Sequence, residues 1–549
     1  MKKVIWQIVT KNRIDSLINH SSKIVDIELV IENDLDLREN VDLTSLPANL
    51  KVEGNLILVG CLGITKLPEN LEVGGNLDLT NCINLKSLPN NLESNNIILT
   101  GCKKLESIPE NLKITGDINL TGCTGITALP ENLNISGDIN LTGCTGINVL
   151  PKNLKIDGSL ILTGCTNLIS IPEFLKIGRS LDLSKCSQIT LLPDNLKVKN
   201  SLILKDCTGL TKLPDNLNLE GFLYLTNCKG ITSLPDTLKV GRDLILEGCT
   251  NLTSLPENLK IGGYLNLKGF TKITSLPKYL EVGKDLNLSE CINLKSLSED
   301  LMVGGDLNLS GCEKLTLLPN KLKINGLFNL SGCKNLVKLP EDLTIGGNLD
   351  LSGCTSLISL PENLKLGENI MIPDFTNSKG SLDEYLLVIN LDLSKCTSLE
   401  YLPEYLKVGG HINFSGCSNL KIIPENLKTG ESFNFSDFKF YDDLSLEFSK
   451  KLRSMMESDF TYFIDLCFGT TIEIDLSGCV NLISIPENLP NGLELNLTGC
   501  IGLTKLPEKV IVLDTLNLSD CFSLKELPEN FYLIGTCTSP SYTGPKIKF

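Results

Sequence analysis

Large rings and imidazoles are scarce. The chain has 549 residues but only 17 Phe, 10 Tyr and one Trp, so aromatics make up 5%. That is thin for the cores of the three or four conventional domains such a length would suggest. His20 and His411 are the two histidines, which leaves little for acid–base or metal chemistry. Long apolar runs are missing as well. Short runs such as residues 385–389 fall far below the roughly 20 residues of a membrane-crossing helix, so no insertion into a bilayer is expected. The apolar stretch Val4 to Val9 holds Gln7, follows two lysines and stops at Lys11-Asn12-Arg13 without a small-residue cleavage site, so no signal peptide is read. Net positive charge is also lacking. A formal charge of −15 and a pI near 4.9 remove the electrostatic footprint of a nucleic-acid binder.

Cysteine, by contrast, is abundant at 21 residues, and the spacing is regular. The residues fall at 61, 82, 102, 123, 144, 165, 186, 207, 228 and 249, then 291, 312, 333, 354, 396, 417, 479, 500 and 521. Only Cys467 and Cys537 stand apart. The step is 21 residues, once 20, and Phe270, Phe375 and Phe438 fall in phase, as does Asn40 one period before Cys61. Most of the 24 prolines follow Leu or Ile at one phase, from Pro47 and Pro68 to Pro507 and Pro528, with Ser298 replacing one. About 23 rungs are therefore expected, with unbroken register through Phe375 and one true break between Phe438 and Cys479.

A clear copy runs Gly74-Gly75-Asn76-Leu77-Asp78-Leu79-Thr80-Asn81-Cys82-Ile83-Asn84-Leu85-Lys86-Ser87-Leu88-Pro89, of general form LxLxxCxxLxxLPxxLxVxGx. Leu77 and Leu79 share one face of a short strand while Asp78 points the other way. After it the apolar step becomes three, at Cys82, Leu85 and Leu88, and the proline forbids a long helix. Each period predicts one coil of a solenoid, stacked strand on strand at about 4.8 Å.

The pattern resembles leucine-rich repeats, whose strand segment reads LxxLxLxxN or LxxLxLxxC, over about 480 residues. It is most similar to the bacterial LPX class, as in Ile485-Pro486-Glu487-Asn488-Leu489-Pro490-Asn491-Gly492-Leu493-Glu494-Leu495-Asn496-Leu497-Thr498-Gly499, although Cys stands where that class usually has Asn. The resemblance implies a curved right-handed coil with a parallel β-sheet on its concave face. It also implies effectors that bind host proteins or carry a ubiquitin-ligase domain, of which only the binding role transfers here.

Three readings of the cysteine file compete. Disulfides between neighbouring rungs would span a suitable Cα distance, but each thiol has two equal neighbours and the count is odd. Metal ligation needs an enclosing set, which a line of single thiols does not supply. The favoured reading is a reduced, buried thiol facing backbone carbonyls of the turn, replaceable by the space-filling Phe270, Phe375 and Phe438.

Function is expected at positions that the repeat leaves free. The residue between the two strand leucines runs through four consecutive Asn, from Asn266 to Asn329, which reads as a side-chain amide ladder. Between Ile161 and Ile245 the file changes: Ile161, Ile203 and Ile245 alternate with Asp182 and Tyr224, while Phe222 and Tyr264 stand two residues ahead of that phase. An exposed apolar and aromatic patch of this kind marks a partner site, against the alternative of drift among strand-forming residues. Arg179, Lys205, Arg242 and Lys268 flank it and suit an acidic partner segment. The Pro-Glu-Asn edge and convex residues read as a solvated face.

Five regions follow: an N-terminal, partly helical cap over 1–31 with a helical pattern at Ile14-Asp15-Ser16-Leu17-Ile18, a solenoid over 32–440, a helical insertion over 441–468, final repeats over 469–530, and a cap or tail over 531–549. The insertion is a packed plug or a helix offered to a partner. Cys467 lies in it without a histidine nearby in sequence, so no catalytic constellation is found. No catalytic, cofactor or metal residues are expected. The leading expectation is a monomeric, non-enzymatic solenoid in a reducing compartment, binding a protein partner as a bacterial effector delivered without a signal peptide. The competing ones are a ligase-like or thiol enzyme built on the insertion, and an internal scaffold.

Overall fold

The computed structural model describes residues 2–6, 27–366 except 132, 390–408, 412–421, 423, 428–429, 472–485, 493–507, 511–525, 527–528, 532–533 and 536–538. The chain divides into two units, residues 1–266 and 267–549.

Every coil of the first unit follows one plan. The strand leucines form two-residue strands that pair in parallel with the coil one period away, as in Leu56↔Leu77 and Leu202↔Leu223. A second parallel row arises after the LPxxL turn, where Lys155–Ile156 pairs with Lys176–Ile177 and that strand with Lys197–Val198. Along one flank isolated bridges add a third line, among them Lys66↔Ser87, Val149↔Ser170 and Leu191↔Lys212. The coil is therefore an LRR-type solenoid turn with two parallel strand rows, and the second row sits where the sequence reads Lys-Val or Lys-Ile. Val and Ile at that phase are buried while the Lys before them is exposed, which is strand alternation compressed into two residues.

The core is almost wholly aliphatic and thiol. Leu56, Leu58, Cys61, Ile64, Leu77, Leu79, Cys82 and Leu85 are each fully buried. At about 1.5–3 kcal/mol per buried aliphatic side chain, a few leucines per coil hold the turn without aromatic mass. The second unit repeats the plan, with Leu286↔Leu307, Leu307↔Phe328 and Phe328↔Leu349 in one row and Lys323↔Thr344 in the other. Phe270, Phe328 and Phe414 are its largest fully buried side chains.

The register differs from the expected one at two places. Leu349 and Asp350 pair directly with Leu391 and Asp392, and the Cys396 thiol donates to the Leu351 carbonyl at 3.1 Å, so these two rungs are neighbours although 42 residues separate them. Likewise Ile412 and Asn413 pair with Ile474 and Asp475, and Cys479 donates to the Phe414 carbonyl at 3.1 Å. Phe375, Phe438, Cys467 and the expected helical insertion lie outside the described residues.

At the chain's start the described segments are strands. Lys2–Trp6 pairs with Ile27–Ile31, which continues onto Leu50–Val52. The helical pattern at Ile14 to Ile18 lies outside the described residues. Beyond residue 530, Tyr532–Leu533 and Thr536–Thr538 still pair with Ile511–Asn517, so the parallel order runs into the segment expected as a cap or tail. Among the described residues no helix is long and apolar enough to cross a membrane.

Candidate functional site

The thiol file is built into the turn. The Leu58 carbonyl accepts the Cys61 N–H of its own coil at 3.1 Å and the Cys82 thiol of the next at 3.1 Å; Leu79 does the same for Cys82 at 3.0 Å and Cys102 at 3.2 Å. One carbonyl thus closes a turn and ties two coils together, the structural role expected of the file. All the described ladder cysteines are free and buried. Burial in an apolar interior disfavours the thiolate, pushing Cys123 and Cys165 up to about 11 and Cys144 up to about 12, with neighbouring thiols adding to the rise at Cys144. A thiol with that pKa is a poor nucleophile at neutral pH. Among the described residues no group of three His, Cys, Asp or Glu is placed to hold a metal ion.

A second ladder crosses the coils two residues ahead of the free strand position. Asn55 Oδ1 accepts the Asn76 N–H at 2.8 Å, Asn96 Oδ1 that of Asp117 at 2.6 Å, Asp117 Oδ1 that of Asp138 at 2.7 Å, and Asp138 Oδ1 that of Ser159 at 2.6 Å. Sequence reasoning placed an amide ladder at Asn266 to Asn329 instead. There the Oδ1 atoms of Asn287, Asn308 and Asn329 each accept the N–H of the residue two further on, Ser289, Ser310 and Ser331, at 2.9 Å. These are turns closed within one coil, the local bond that short Asn side chains favour.

Six of the nine candidate partner residues, Ile161, Ile203, Phe222, Tyr224, Ile245 and Tyr264, stand where most coils carry the Asn, Asp or Ser of one of these two devices. Ile161, Asp182, Ile203, Tyr224 and Ile245 are successive register partners on five coils, and all are half-buried. The three isoleucines supply no acceptor for the turn that Asn or Asp closes elsewhere. Asp182 still closes it, accepting the Ser184 N–H at 2.8 Å and the Thr163 hydroxyl at 2.9 Å. Phe222 and Tyr264 occupy the cross-coil ladder position. Their own N–H groups donate to Ser201 Oγ at 3.0 Å and Asp243 Oδ1 at 2.8 Å, but the Phe222 ring returns no acceptor to the next coil.

The structure brings Phe222, Tyr224 and Arg242 into one cluster. The two rings stack with centroids 5.5 Å apart at 29°, and the Arg242 guanidinium lies 5.6 Å from the Phe222 centroid. Burial, followed by the Asp243 charge, raises the Tyr224 phenol above its ordinary pKa, so it stays neutral at physiological pH. Arg179 and Arg242 stand at a position that is glycine in most coils. At Gly221 an added Cβ would meet Asn200 Oδ1 at 2.2 Å, and at Gly158 the Gly137 carbonyl oxygen at 2.2 Å, so a side chain at this position is the exception. Arg179 lies 3.8 Å from Asp138 Oδ1. Lys268, expected to flank the patch, lies 3.4 Å from Glu290 in the second unit.

The structure also shows apolar surface that sequence reasoning assigned to a solvated face. Val149, Ile169, Leu191 and Phe174 are exposed on three successive coils of the first unit, and Leu317, Val337, Ile358, Tyr401 and Tyr405 form a second set in the other, reaching 67% exposure at Tyr405. Their signal lay in the fourth, fifth and ninth residues after each Cys, where Thr, Ser, Lys and Asn are usual. A shallow groove of about 420 Å³ runs over Ser310, Gly311, Ser331, Gly332, Ser352 and Gly353, between Glu290 and Lys395; no candidate residue lines it.

Coils, strand rows and buried Leu–Cys core define an LRR-type parallel solenoid. No protein-family model matches the chain. No curated protein matches it either. Among solved structures, YopM from Yersinia enterocolitica WA-314 is similar at 18% identity over 76% of this chain and 93% of that one, with a TM-score of 0.17. A superposition that loose adds nothing to what the strand pairings establish.

Proposed function

We propose that the protein is a non-enzymatic interaction scaffold that engages a protein partner through the sheet surface running from Ile161 to Tyr264. One observation carries the reading. Over these coils the free strand position holds Ile161, Ile203, Tyr224 and Ile245, the position two before it holds Phe222 and Tyr264, and the Phe222 and Tyr224 rings stack beside Arg242; elsewhere such departures from Asn, Asp or Ser stand apart, as at Ile57, Ile98 and Leu327. Each missing turn or ladder bond forgoes about 0.5–1.5 kcal/mol of stability, and the exchange yields half-buried aromatic surface of the kind enriched in interfaces. The resemblance to the LPX class extends this to an effector acting on a host protein in a reducing compartment, where the thiol ladder stays reduced.

The test is affinity capture from host-cell lysate with the full chain, the F222A/Y224A variant and an L317A/Y401A variant. The reading expects a captured protein that is lost with F222A/Y224A, kept with L317A/Y401A, and no change in melting temperature. Retention of every captured protein by F222A/Y224A refutes it.

A further inference from the structure

The candidate surface has a repeat length of its own. Ile161, Ile203 and Ile245 are register partners of Asp182 and Tyr224 on alternate coils, so at about 4.8 Å per coil they recur roughly every 9.6 Å along the stack. A ligand laid along the stack must present side chains at the same interval. A polyproline II segment does so: three residues at 3.1 Å give a turn of about 9.3 Å, with every third side chain on one face. An α-helix offers about 10.8 Å for two turns and slips by roughly 2.4 Å over the four steps from Ile161 to Ile245. An extended strand repeats its face about every 6.7 Å and matches neither.

The middle of the file carries the stacked Phe222 and Tyr224 rings, and aromatic-lined surfaces are what proline-rich segments dock on, because the preformed ligand loses little entropy. Charge narrows the occupant further. The nearby carboxylates already accept hydrogen bonds, Asp182 from Ser184 and Thr163 and Asp243 from Tyr264. Arg242 is exposed, rests on the Phe222 ring, and has no carboxylate at ion-pair distance among the described residues.

We propose that this surface takes a proline-rich segment of a partner in polyproline II conformation, lying across the strands with apolar residues at every third position on the isoleucine file and a carboxylate at Arg242. The proposal rests on the interaction reading and names the partner's chemistry.

Fluorescence anisotropy on the full chain tests it, with labelled peptides of about four turns. The probes are a Leu-Pro-Pro repeat carrying one Glu, the same repeat with Gln for Glu, a peptide of equal composition whose Leu residues are shuffled off the every-third spacing, and an amphipathic helical peptide. The Glu repeat is expected to bind at least tenfold more tightly than the last two. Y224A should lower that affinity tenfold or more, R242Q should bind the Glu and Gln repeats alike, and R242E should prefer a Lys-bearing repeat. Absence of binding by the Glu repeat, preference for the helical peptide, or indifference to Y224A overturns the proposal. Should capture depend on Phe222 and Tyr224 while the peptides fail, the interaction reading stands and the polyproline one falls.

Discussion

Raising the pH should unfold the solenoid through its cysteines. In an unfolded chain each thiol ionises near pH 9, whereas in the fold burial pushes Cys123, Cys165, Cys249 and Cys291 up to about 11 and Cys82, Cys144 and Cys207 up to about 12. The folded pKa is the higher one, so the folded chain holds protons that the unfolded chain sheds. This contribution is complete below pH 9 and is lost as pH climbs through the 9 to 12 window. Inside the window each thiol withdraws about 1.4 kcal/mol per pH unit. A 21-residue coil holds roughly 1–3 kcal/mol of net stability, so its own thiol cancels that share by about pH 10 to 11. Because coils are stabilised by their neighbours, the losses should merge into one cooperative transition. Circular dichroism and thiolate absorbance followed together from pH 7 to 12 should change in step. Replacing Cys123, Cys144 and Cys165 by Ala should flatten the dependence of urea stability on pH by about 4 kcal/mol per unit. Thiolates that titrate near pH 9 with strand signal intact, or a fold that keeps both strands and protonated thiols above pH 12, would refute the reasoning.

Three further outcomes follow from particular contacts. Asn308→Ala removes the acceptor of the Ser310 N–H and should cost about 1 kcal/mol in urea unfolding, with Asn308→Asp close to wild type. Leu204→Ala, at a fully buried site whose carbonyl holds the Cys228 thiol at 2.9 Å, should cost about 2–5 kcal/mol in the same assay. Gly332 has φ of 71°, so Gly332→Ala should lower stability by roughly 1–2 kcal/mol; an Ala variant as stable as wild type would argue against the left-handed turn before Cys333.

Much of this fold was legible because one residue type repeats at one phase. A 21-residue step in Cys fixes the coil, alternation at Leu77 and Leu79 fixes the strand, and a lone thiol per coil points to a carbonyl partner. Phase does not fix adjacency, however. Phe375 lies in step with Cys354 and Cys396, yet the pairing runs from Leu349 to Leu391, because a stack needs only matching edges and accepts whichever coil offers them. The second strand row went unread because Lys-Val is too short to alternate visibly. At the Asn file the bond within the coil was not read: an Asn on a strand end can reach its own turn when a Ser N–H sits two residues on, as Asn308 does. At the candidate site the individual residues were legible as departures from the repeat. Their grouping was partial: the stacking of Phe222 on Tyr224 and the seat of Arg242 depend on geometry between coils, and Lys268 lies 3.4 Å from Glu290.

The central claim is that the partner sits on the Tyr224 surface, and site-specific photocrosslinking tests it most directly. A photoreactive phenylalanine would replace Tyr224 in one full-length protein and Tyr401, 54% exposed on the flank of the second unit, in another. After irradiation in host-cell lysate, the account predicts a discrete protein adduct from position 224 and none from position 401. An adduct from 401 with none from 224 would contradict it and move the interface to the exposed apolar flank.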